Sequence, residues 1–160
     1  MELCAEYARR YIEKTGPIES ILEQHLVLNK QLDWERTVSN SKYIISDSPL
    51  PIVFLYSNTL PLTSKKEVKF MCGIYSELLK LNYPEPFYDF VFHIDPTVAP
   101  VDDGVRLAHQ FDDTWRMDFN EQIKFVFRHL FRPKKFVVVP HEAQEDRVAF
   151  MIETMRAGVQ

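Results

Sequence analysis

The chain has 160 residues, 46% of them hydrophobic and 13% aromatic, with a formal net charge of -4. This composition excludes a disordered segment, which is poor in both classes. It also excludes a protein held mainly by nucleic-acid backbone, which needs a concentrated basic surface, whereas the lysines and arginines here are scattered along the chain.

A single domain spanning 1–160 is expected, burying roughly two-thirds of its unfolded surface without a disulfide framework. Cys4 and Cys72 are far apart and lack a metal-ligand spacing, so a reduced compartment is the default. No apolar run approaches the length of a membrane span, and no charged head followed by an apolar core opens the chain, so the expected location is the cytoplasm.

In chain order, residues 1–5 read as a short strand. Glu6 to Lys14 are good helix formers closed by the stop signal Thr15-Gly16-Pro17. From Ile18 to about Val38, the residues Ile18, Ile21, Leu22, Leu26, Leu28 and Leu32 recur at helical spacing and predict a long amphipathic helix. Ser39-Asn40-Ser41 breaks it. Tyr43 to Ser46 reads as a buried strand closed by Asp47-Ser48-Pro49.

Pro51 suits the first turn of a new helix, and Ile52 to Tyr56 is too apolar for a surface loop. Ser64 and Glu67 have the spacing of a capping box, and Val68, Met71, Ile74, Leu78 and Leu81 give the apolar face of the helix that follows. Phe87 to Ile94 is a second clear strand, followed by a polar, proline-marked loop from Asp95 to Gly104. Phe119, Ile123, Phe127 and Leu130 mark another helix, Lys135 to Val139 a third strand, and His141 to about Met155 a closing helix. Alternating helices and strands predict an α/β fold, a parallel sheet with helices on both faces.

In such sheets the ligand crevice lies outside the carboxyl ends of the strands, where Asp47 falls. Asp47 reads either as an ordinary turn acid or as an acid placed for phosphate or magnesium. The pairs Asp102-Asp103 and Asp112-Asp113 lack calcium-loop spacing, the five histidines do not cluster, and no G-x-S-x-G is present.

Four segments in order resemble P-loop nucleoside and nucleotide kinases, in particular AAA-type ATPase/kinases of phages and bacteria that include the ribosylnicotinamide-kinase-like group. They are Glu2 to Arg9 with Glu6-Tyr7-Ala8-Arg9, Leu22-Glu23-Gln24-His25, Tyr43 to Leu50 with Ser46-Asp47-Ser48-Pro49, and Phe90 to Pro96 followed by Asp103-Gly104-Val105-Arg106. The resemblance implies transfer of phosphate from ATP, with magnesium, to a nucleoside or nucleotide acceptor. It implies Glu6 as a substrate-side base, Asp47 as organiser of the nucleophile or of magnesium through water, and Arg106 as lid charge on the transferred group. Arg9 or Arg10 would bind acceptor phosphate or carboxylate in a forked geometry.

The chain departs from the family in one respect. Its four glycines, Gly16, Gly73, Gly104 and Gly158, form no G-x-x-x-x-G-K-[ST] loop. The family's phosphate loop and the strand leading into it precede the segment matched here, so this chain is expected to lack them and to bind ATP poorly. The alternative expectation is a non-catalytic interaction module on a kinase shell, meeting a protein partner or a second copy of itself.

Overall fold

The computed structural model describes residues 2–4, 7–37, 43–81, 85–96, 112–140 and 144–158. The chain divides into two compact units, Met1–Ser76 with Asp102–Leu107, and Glu77–Val101 with Ala108–Gln160.

The first unit contains β1 (Glu2–Cys4), α1 (Tyr7–Thr15), α2 (Ile21–Thr37), β2 (Ile44–Ser46), α3 (Leu50–Ser57) and most of α4 (Lys65–Lys80). Helix α1 stops where expected. Gly16 takes φ +92°, a conformation that suits a residue without Cβ, and its N–H bonds to the Ile12 carbonyl at 2.8 Å. Helix α2 starts three residues later than its periodicity predicts because Ser20 caps it. The Ser20 N–H donates to Glu23 Oε2 at 3.1 Å and the Glu23 N–H donates back to Ser20 Oγ at 3.3 Å. The box expected at Ser64 and Glu67 forms in the same reciprocal way, at 2.9 and 3.2 Å.

The buried face of α2 matches the predicted apolar set only in part. Leu22 and Leu26 are 66% and 55% exposed, while Ile21, Gln24, Val27, Leu28, Gln31 and Glu35 are buried. Packing selected a stripe that keeps Ile21 and Leu28 of the apolar set and adds Val27 and three polar groups. Helix α3 supplies the apolar counterpart. Its Leu50, Val53, Phe54 and Leu55 are buried, and the Gln24 amide donates to the Val53 carbonyl at 2.6 Å.

β1 and β2 pair in parallel, with Glu2 opposite Ile44 and Cys4 opposite Ser46. Contrary to the expectation of a buried strand, Tyr43, Ile44 and Ile45 are 46%, 42% and 40% exposed. Successive strand residues point to opposite faces, so Ile44 and Ile45 are exposed on either face, while Ser46 at the strand end meets α2.

The second unit contains β3 (Phe90–His93), α5 (Asp113–Phe125), a π-helical segment (Val126–Phe131), β4 (Lys135–Val138) and α6 (Gln144–Gly158). β3 and β4 pair in parallel, Phe90 opposite Lys135 and His93 opposite Val138. The core here is aromatic. The Phe127 ring lies 6.2 Å from Tyr88, 6.5 Å from Phe131 and 6.2 Å from Phe136. The wider π turn brings Phe131 rather than Leu130 to the buried side. It ends at Arg132 in the left-handed region, φ 37°, with its N–H bonded to the Phe127 carbonyl at 3.0 Å.

The alternation of helices with parallel strands is as the sequence predicts. Among the described residues, however, the strands form two separate pairs rather than one sheet. No helix among the described residues is long and apolar enough to cross a membrane.

Candidate functional site

In a parallel pair the carboxyl ends of both strands lie on one edge. In the first unit that edge carries the start of α1 after β1 and the Ser46-Asp47-Ser48 turn after β2. Asp47 is exposed in a bend, and Pro49 directly begins α3. Arg9 and Arg10 lie in the first turns of α1. Arg9 is half-buried and engaged. Arg10 places its guanidinium 4.8 Å from the Trp34 ring centroid, a cation–π contact. The topology therefore brings Asp47, Arg9 and Arg10 to the same edge. Glu6 and Arg106 lie outside the described residues.

Beneath this edge is a buried polar network that sequence reasoning missed. The fully buried Gln31 accepts at Oε1 from the Tyr7 N–H, 3.2 Å, and donates through Nε2 to Glu35 Oε1 at 2.9 Å and to Ser46 Oγ at 3.3 Å. Ser46 Oγ in turn donates to the same Glu35 oxygen at 2.7 Å. One side-chain amide thus ties the first residue of α1 to the last residue of β2. A signal was present: Gln24, Val27, Leu28, Gln31 and Glu35 recur at helical spacing, and polar residues inside an apolar-period stripe are candidates for buried partners.

The second unit has its own polar cluster at the carboxyl end of β3. Asp95 Oδ1 accepts from Lys124 Nζ at 2.7 Å, Asn120 Nδ2 at 3.0 Å and His93 Nε2 at 3.1 Å. The Lys124 ammonium, chiefly through its hydrogen bond, with help from the Asn120 and His93 donors, holds the Asp95 carboxyl down to about 2. Asp95, with Glu121 second, raises the Lys124 ammonium above its ordinary range. Asn120 and Lys124 stand four residues apart on α5, a spacing that faces both toward the strand end.

Magnesium keeps most of its waters and takes one or two carboxylates plus substrate phosphates. A single exposed carboxylate at Asp47 fits that water-mediated role. Among the described residues no group of three or more His, Cys, Asp or Glu is placed to hold a metal directly. A phosphate cradle is not offered by the described glycines: Gly16 and Gly73 face open space, and Gly158 packs on the Phe90 ring.

These features define a parallel α/β protein with a polar site at the carboxyl edge of its first strand pair. A family model described as AAA domain matches residues 1–147, and the chain belongs to that family. Its class of function is ATPase-like nucleotide binding, with ATP and magnesium as ligands by family resemblance. No curated protein and no solved structure matches the chain.

Proposed function

We infer that the chain is a nucleoside- or nucleotide-kinase-like ATPase domain whose acceptor-side machinery is present and whose hold on ATP is weak in this chain alone. The observation that supports this most directly is the exposed Asp47 at the carboxyl end of a parallel strand, on a turn whose preceding residue is anchored to a buried carboxylate. In this reading Asp47 orients the acceptor hydroxyl or holds magnesium through water, and Glu6 takes the hydroxyl proton. Arg9 and Arg10 position acceptor phosphate or carboxylate, and Arg106 meets charge on the transferred group. Bound magnesium would neutralise phosphate charge. The weakness for ATP follows from the absent G-x-x-x-x-G-K-[ST] loop.

Calorimetric titration of purified 1–160 with ATP and magnesium tests it, with light scattering to show a folded chain and count its copies. The expected result is weak binding, with a dissociation constant on the order of 1 mM, lost in Asp47→Ala. Tight magnesium-dependent binding would overturn the weak-affinity element. No binding by a folded chain would overturn the kinase reading.

The second reading, an interaction module meeting a protein partner or a second copy, is favoured by the exposure of Tyr43, Ile44 and Ile45 at the start of β2. A dimer that dissociates in Ile45→Lys, combined with absent nucleotide binding, would favour it over the first.

A further inference from the structure

Asp47 and the start of α1 belong to separate segments, and a phosphoryl-transfer site requires their side chains to be held in fixed relation. Besides the pairing of β1 with β2, a side-chain tie between the two segments runs through α2. The Tyr7 N–H bonds to Gln31 Oε1, Gln31 Nε2 bonds to Glu35 Oε1 and Ser46 Oγ, and Ser46 Oγ bonds to Glu35 Oε1. Gln31 has no exposed surface and Glu35 is 8% exposed, so neither is placed to touch a substrate. Burying a glutamine and a glutamate costs free energy that an apolar pair would avoid, and each polar group is offset only while its partners stay in place. Such a network tolerates one arrangement of the groups it joins.

We propose that Gln31 and Glu35 are the positioning residues of the candidate site: a buried brace that sets the Ser46-Asp47 turn against the first turn of α1. The proposal rests on the kinase-like reading for its purpose, while its geometry is independent of any nucleotide. It assigns Glu35 an acceptor's role, in which one oxygen receives both Gln31 and Ser46. A glutamine at position 35 keeps that oxygen, and a leucine of similar size removes it.

The experiment compares wild type with Glu35→Leu, Glu35→Gln and Ser46→Ala by amide hydrogen exchange, resolved by peptide, with magnesium-ATP titration run in parallel. In Glu35→Leu, exchange is expected to rise about tenfold or more in peptides covering 7–11 and 44–48, which corresponds to loss of one net hydrogen bond, while 50–57 in α3 stays at the wild-type rate. Glu35→Gln should return both peptides to within about twofold of wild type. Uniform acceleration across the unit would overturn the brace, since that is what lost packing alone produces. So would unchanged exchange, or a Glu35→Gln variant as perturbed as Glu35→Leu. If Glu35→Leu does not fold, Ser46→Ala, which removes one hydroxyl at the edge, decides by the same local pattern.

Where wild type shows saturable nucleotide binding, Glu35→Leu must lose it as Asp47→Ala does, and retained binding overturns the positioning role. A folded wild type that binds no nucleotide sinks the kinase reading, and the exchange pattern then decides the brace by itself.

Discussion

Asp95 shows how a single carboxyl can be committed to structure. Its folded value of about 2 lies below the ordinary 3.8, so the folded chain binds this proton less readily than the unfolded chain does. The stabilisation is therefore complete above about pH 4 and is lost as pH falls toward about 2. The carboxyl is a quarter exposed, and solvent screening reduces the contribution to about 1–2 kcal/mol. Asp95→Asn is expected to lower the urea midpoint accordingly at pH 7, with the difference from wild type closing near pH 2, as denaturation curves across pH would show. Equal differences at both pH values would refute this assignment. Gly16 is the other residue with a defined penalty. At φ +92°, Gly16→Ala should destabilise by about 1 kcal/mol or more, read from the same curves.

At the scale of elements, α2 is where packing overruled periodicity. Its leucines at 22 and 26 face solvent, whereas Leu28 is buried beside Gln24, Gln31 and Glu35. Leu26→Ala should therefore change stability by no more than about 0.5 kcal/mol, while Leu28→Ala costs about 2–5 kcal/mol. Thermal or denaturant melts of the two variants, side by side, distinguish the faces, and equal losses would contradict the arrangement. Gln24 joins α2 to α3 through the Val53 carbonyl at 2.6 Å, so Gln24→Ala combines a lost hydrogen bond with a small cavity and should cost about 2 kcal/mol. The same polar stripe, two turns further along at Gln31 and Glu35, carries the brace under the candidate site.

For the whole molecule, two parallel strand pairs of three and four residues each are short by the standards of independent sheets. On the interaction-module reading, the exposed Ile44 and Ile45 of β2 are the surface through which the chain would associate. Light scattering over a concentration series should show self-association that falls in Ile45→Lys. A monomer at all concentrations would show that this strand attracts nothing by itself.

Much of this protein was legible from its residues one segment at a time. Gly16 after Thr15 marks the end of α1, Ser64 with Glu67 marks the start of α4, and alternating apolar segments announce parallel strands, because each of these signals acts within a few residues of chain. Asp47 was found for the same reason, as the acid that closes a strand. Which face of α2 is buried, the pairing of strands two by two, and the convergence of Tyr7, Gln31, Glu35 and Ser46 were decided only in three dimensions. Directly bonded groups among these lie up to 24 residues apart, as Tyr7 and Gln31 do, and hydrogen bonds between distant segments leave no local pattern to read. Sequence by itself determined the elements and the acid at the strand end. Tertiary structure decided what holds that acid in place, because burial makes each polar group dependent on partners that only packing can supply.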